Sequence, residues 1–75
     1  GEMVKQMEMK EAVKLALESL NTDQKSVVVL RYIEGLSTKE TSELLQLPQG
    51  TILSRLSRGL DKMKAALKDL GFEMD

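Results

Sequence analysis

The chain has 75 residues, 41 % of them apolar, and its aromatics are one Tyr and one Phe, so it can hold one domain around one aliphatic core of Leu, Val, Ile and Met. It contains no Cys and no His, which excludes disulfides, zinc fingers and thiol or imidazole catalysis and is compatible with a reducing cytoplasm. No apolar run approaches the ~20 residues of a membrane span, no secretory signal is visible, and a net charge of −1 does not by itself point to nucleic acid.

Four helical segments are expected. The first runs from about Met3 to Leu20, on the apolar stripe Met9, Val13, Ala16, Leu17 and Leu20, which has helical period. Residues 1–12 read as an N-terminal extension or the frayed start of this helix. Asn21 and Thr22 offer an N-cap to a second segment. Its run Val27, Val28, Val29, Leu30, Tyr32, Ile33 is equally compatible with a strand. The cap chemistry before it favours helix. So does Gly35, placed where a left-handed residue closes a helix.

The third helix is short. Ser37 and Glu40 form the S-x-x-E capping box, Leu44 and Leu45 supply apolar contacts, and Gln46-Leu47-Pro48 ends it. The fourth starts near Pro48–Thr51 and runs to about Leu70, before Gly71. Its stripe is Ile52, Leu56, Leu60, Met63, Leu67 and Leu70, the cleanest amphipathic pattern in the chain. Gly59 inside it costs about 1 kcal/mol relative to Ala. The expected fold is therefore all-α: a four-helix domain at 13–70 with a helix-turn-helix, bracing helix 37–46 and second helix 49–70, then a tail at 71–75.

Charge is unevenly placed. Residues 49–70 carry Arg55, Arg58, Lys62, Lys64 and Lys68 against Asp61 and Asp69, whereas residues 1–48 carry more acids than bases. For binding, the local field matters more than the total. A short helix, a tight turn and a helix with an outward basic face make a helix-turn-helix pattern, whose second helix fits the major groove. With Ile52, Leu56, Leu60 and Met63 inward, Thr51, Ser54, Arg55, Arg58 and Lys62 fall on the other side. Arg can bond guanine in bidentate fashion, and Ser or Thr can serve bases or phosphates. Thr38 and Lys39, in the first turn of the bracing helix, suit a phosphate. The same periodicity also occurs in bundles that bind only protein.

The stretch Gly35-Leu36-Ser37-Thr38-Lys39-Glu40 through Leu47-Pro48-Gln49-Gly50-Thr51-Ile52-Leu53-Ser54-Arg55-Leu56-Ser57-Arg58 resembles region 4 of the extracytoplasmic-function sigma factors of the sigma-70 family. Leu20, Gln24-Lys25, Val27 and Leu30-Arg31-Tyr32 resemble that family's preceding helix. The resemblance implies recognition of a promoter −35 element in double-stranded DNA, docking on the β-subunit flap of RNA polymerase, and in many members capture by an anti-sigma factor. Carried over by position, it implies a DNA-contacting set of Arg31, Thr38, Lys39, Thr51, Leu53, Ser54, Arg55, Ser57 and Arg58. The chain departs from the family pattern at Leu53, where Lys or Arg is usual, at Thr41 and Ser42, which replace Ile and Ala, and at Gly59, which replaces Ala.

Two other readings remain open at this level. A LuxR-type response-regulator domain shares the Gly35-Leu36-Ser37-x-Lys39-Glu40 entry and a four-helix layout. A sigma-like interaction module would bind protein through its apolar surfaces. An enzyme, a small-molecule substrate, a cofactor and a metal are not expected. The carboxylates sit on helix faces expected to be exposed, and no phosphate-loop or metal-ligand spacing appears.

Overall fold

The computed structural model describes residues 8–72. Within them the chain forms α1 (Met9–Glu18), α2 (Thr22–Val28), a π turn (Val29–Ile33) that continues α2, α3 (Thr38–Leu45) and α4 (Gln49–Asp69). Helices α1, α2 and α3 all pack on α4, and α3 also touches the π turn. The expected all-α, four-helix layout is what the chain adopts. The part of the expected first helix before Glu8, and the tail from residue 73, lie outside the described residues.

Helix α1 is regular from Met9 and buries Ala12 completely. The expected boundary at residue 13 thus falls inside a formed helix. Its inward line is Ala12, Ala16 and Leu20, with Val13 and Leu17 beside it. Met9, expected on that stripe, is exposed instead. Small side chains at Ala12 and Ala16 let the helix lie close to its neighbour, which a Met at the same register would prevent.

Helix α2 begins on a reciprocal capping box. The Asn21 side chain accepts the Gln24 N–H at 2.8 Å, and Gln24 Oε1 accepts the Asn21 N–H at 3.3 Å. This satisfies two amides that a helix start leaves open and lets a buried Gln24 sit in the core. Val27 and Val28 point inward, but Tyr32 and Ile33 do not. After Val28 the helix widens, and Glu34 N–H bonds to Val29 O at 2.9 Å, an i→i+5 bond that is the mark of a π turn. Gly35 (φ +78°) then reverses the chain, and Leu36 N–H returns to Leu30 O at 2.9 Å.

Helix α3 carries the expected Ser37–Glu40 box. Its buried residue is Thr41, not the expected Leu44, which is exposed; Leu45 packs on the core from a half-buried position. Thr41 fills an apolar site because its hydroxyl is answered locally, donating to Ser37 O at 2.8 Å. The Ser42 hydroxyl donates to Leu47 O across the turn into α4. The two hydroxyl residues that depart from the family pattern therefore cost no unpaired polar atom. Gln46 closes α3 in the left-handed region, at φ +57°.

Helix α4 buries Ile52, Leu56, Gly59, Met63 and Leu67. Burying Val27 and Ile52 fully stabilises the fold by about 1.5–3 kcal/mol each relative to exposure. Leu60, expected inward, is partly exposed, and Gly59 takes the inward place. The helix ends on a Schellman closure, with Phe72 N–H on Leu67 O at 2.8 Å and Gly71 N–H on Lys68 O at 3.0 Å.

Candidate nucleic-acid interface

Two packed helices and the turn Gln46–Pro48 between them form the candidate site. Pro48 opens α4, its carbonyl accepting Thr51 N–H at 3.0 Å and Ile52 N–H at 3.2 Å. A proline at this point has no N–H to leave unsatisfied and holds the chain extended before the helix. At 3.6 residues per turn, fixing Ile52, Leu56, Gly59 and Met63 inward turns Gly50, Leu53, Ser54, Ser57 and Arg58 outward. All five are exposed. A side chain placed at Gly50 would meet nothing within 4 Å. The exposed Asp61 follows Arg58 by one turn and ends this polar face after the first half of the helix.

The residues expected to bind DNA divide into three groups. Ser54, Ser57, Arg58 and Leu53 share the outward face of α4, and Lys39 and Lys62 are exposed. Thr38 and Thr51 are half-buried. Arg55 and Arg31 are engaged within the molecule. The Arg55 guanidinium lies 3.9 Å from the Asp23 carboxylate at the start of α2, with its side chain 33 % exposed and that of Asp23 68 %. An exposed pair at that distance contributes about 0–1 kcal/mol, yet it draws Arg55 to the α2 side of the helix. Arg31 Nη1 donates to Leu36 O at 2.6 Å, its guanidinium lies 5.6 Å from the centre of the Tyr32 ring, and its Nε is buried with no protein partner. Arg31 thereby ties the π turn to the segment that leads into α3.

The N-terminus of α3 is built by its capping box. Glu40 N–H bonds to Ser37 Oγ at 3.0 Å, and Glu40 Oε1 accepts Ser37 N–H at 2.9 Å. The Ser37 backbone N–H and then its hydroxyl hold the Glu40 carboxyl below its ordinary value. A carboxylate there also complements the positive end of the helix dipole.

Asp23 is the residue of this region that sequence reasoning missed. Nothing local marks it, because its partner lies in another helix. No cluster of His, Cys, Asp and Glu able to hold a metal occurs among the described residues. No described helix is long and apolar enough to cross a membrane. What the geometry offers chemically is a helix face of small and hydroxylated side chains with one free arginine, flanked by exposed lysines. That suits contact with base edges and phosphates.

A family model described as "Sigma-70, region 4" matches residues 10–63. Among curated relatives the chain is similar to the ECF RNA polymerase sigma factor SigW of Bacillus subtilis, with 33 % identity over 64 residues covering 85 % of this chain and 34 % of that protein. It is also similar to the RNA polymerase sigma-E factor of Streptomyces antibioticus, 42 % over 53 residues, covering 71 % and 29 %. The ECF RNA polymerase sigma factor SigX of Bacillus subtilis is 29 % identical over 73 residues, covering 97 % and 38 %. The chain spans about a third of the length of the curated relatives it matches. No solved structure matches it.

Proposed function

The chain belongs to the sigma-70 region 4 family, and from that premise we propose that it is the promoter-reading domain of a sigma factor. In this reading the working unit is the expected 13–70 domain together with the start of α1 from Met9. Helix α3, within 37–46, braces on the DNA backbone, and the first half of α4, within 49–70, enters the major groove at a −35 element. Arg58 is the principal base contact. Ser54 and Ser57 serve bases or phosphates, and Lys39, Lys62, Thr38 and Thr51 serve the backbone. The proposed roles of Arg55 and Arg31 are to set the pose of α4 and of the α3 N-terminus, with only their remaining N–H groups free for phosphates.

One observation carries the reading. Opposite the buried line of α4 lies a face of Gly50, Ser54, Ser57 and Arg58 that is open to solvent and without a carboxylate until Asp61. It follows a capped helix by a tight turn, the placement that presents the N-terminal residues of a second helix to base edges. The larger assembly is also part of the proposal. The partner is core RNA polymerase in the cytoplasm, met through exposed apolar side chains such as Tyr32, Ile33 and Leu44, which would face the β-subunit flap or an anti-sigma factor. The domain acts by binding, with no chemistry of its own.

The test is an NMR titration of the chain with a short duplex carrying a −35-like element at low salt. The expected shifts cluster at Gly50, Ser54, Ser57, Arg58 and Lys39 and shrink as salt rises. Arg58→Ala should weaken binding by about 1–3 kcal/mol, the worth of one bidentate base contact. No shifts at millimolar duplex would instead support a pure interaction module.

A further inference from the structure

Leu53 lies on the flank of the proposed DNA face, about 100° around the helix from Ile52, and is 53 % exposed. Its neighbours on that face, Gly50, Ser54 and Ser57, are all small, and the space above Gly50 is empty to 4 Å. A groove floor can therefore come close to the helix backbone here, and Leu53 is the longest uncharged side chain in its path. It has no hydrogen-bonding group, so it cannot hold a phosphate or a polar base edge. In the major groove the one methyl group is the C5-methyl of thymine. We infer that Leu53 is a specificity-determining residue that reads one thymine through its methyl group, giving this domain an A·T preference at one position of its site. The inference rests on the promoter-reading proposal above.

Burying one methyl-sized apolar group is worth about 0.8 kcal/mol, or about fourfold in affinity at 1.4 kcal/mol per tenfold. The probe is a duplex selected from a randomised pool with the wild-type chain at low salt. Each thymine is then replaced singly by deoxyuridine, which removes the methyl and keeps the pairing. Fluorescence anisotropy should find one thymine at which deoxyuridine weakens the wild-type chain about fourfold. The ratio should fall to about one for Leu53→Ala and persist for Leu53→Met. Because it is taken within one protein variant, a general loss of affinity cancels, and circular dichroism confirms that each variant is folded. Equal binding of thymine and deoxyuridine at every position overturns the inference, as does a ratio that survives in Leu53→Ala. If the selected duplex still loses affinity with Arg58→Ala in those cases, the promoter-reading proposal stands and only the role of Leu53 falls. If the chain selects no duplex, both fall.

Discussion

Gly59 and Val28 provide a direct test of how α2 meets α4. A Cβ on Gly59 would lie 3.0 Å from Val28 Cγ2, 3.5 Å from Gln24 Cβ and 3.7 Å from Gln24 O. Carbon atoms prefer about 3.5–4.0 Å, so the new methyl or Val28 must give by a few tenths of an ångström. Val28 is buried and β-branched, and in a helix such a side chain has essentially one rotamer. It cannot swing aside, and overpacking of this kind costs about 1–3 kcal/mol. Against that, Ala gains about 1 kcal/mol of helix propensity over Gly. Gly59→Ala should therefore destabilise the domain by about 1 kcal/mol, about 4–8 °C in Tm for a domain of this size. In a Val28→Ala background the obstruction is gone and the added methyl fills the hole. The same change should then stabilise by about 1 kcal/mol, a coupling of about 2 kcal/mol between contacting sites. Urea unfolding followed at the helical circular-dichroism band, with the slope checked for constancy, measures all four proteins. Additive effects, or a Gly59→Ala that gains the full propensity in the wild-type background, would show that α2 and α4 do not approach this closely.

Asp23→Asn should change stability by less than about 1 kcal/mol and tighten duplex binding by about threefold, since it frees Arg55 and removes a competing carboxylate. Weaker binding would mean that the carboxylate pre-orients the arginine for DNA. Gln46→Gly should stabilise the fold by about 0.5–1 kcal/mol in urea unfolding, because an L-residue at φ +57° carries a strain that exceeds the backbone entropy of glycine; a loss would deny the strained turn. The Glu40 carboxyl is held down by Ser37, so its NMR titration should centre below the ordinary glutamate value of about 4.3. A depressed carboxylate contributes stability that is fully present above that value and lost as pH falls through its folded pKa. Acid sensitivity of the α3 amides should accordingly vanish in Glu40→Gln.

The elements whose signals are local could be read before folding. The Ser37–Glu40 box, the Asn21 cap, Gly35 and Gly71 all act through backbone groups a few residues away, and each stands where the sequence placed it. The inward line of α4 was legible for Ile52, Leu56, Met63 and Leu67, where several turns agree on one direction. It failed at Leu60 because two adjacent candidates, Gly59 and Leu60, compete for one inward place. The closeness of Val28 decides for the residue without a side chain. In α3 the helix is too short for periodicity to separate Leu44 from Thr41, and side-chain size pointed the wrong way. A threonine whose hydroxyl bonds to its own helix packs like a valine, which residue polarity does not reveal. The widened turn at Val29–Ile33 has no local mark at all. It sends Tyr32 and Ile33 outward from a run that reads as uniformly apolar.

At the candidate site the difference between sequence and structure has an electrostatic consequence. The sequence offers five cations to DNA: Arg31, Lys39, Arg55, Arg58 and Lys62. Two of them spend bonds inside the molecule, Arg31 on Leu36 O and Arg55 on Asp23, leaving three fully exposed. Neutralising Z phosphates makes log K fall with log salt at a slope of about −0.9Z. Three contacts give about −2.7, whereas five would give about −4.5. Between 50 and 200 mM salt the first slope costs about fortyfold in affinity and the second about five-hundredfold. Anisotropy with the selected duplex at four or five salt concentrations separates the two. A slope near −4.5 would mean that both arginines reach phosphates when DNA arrives, Arg31 through its remaining N–H groups and Arg55 at the expense of its ion pair with Asp23, which would then be a resting position. A slope near −2.7 would leave them as struts within the fold. Recognition would then rest on Arg58, the hydroxyls of Ser54 and Ser57 and whatever Leu53 meets in the groove. A domain so lightly charged is expected to bind duplex weakly alone, and under the proposed function tethering through polymerase would supply the effective concentration it lacks.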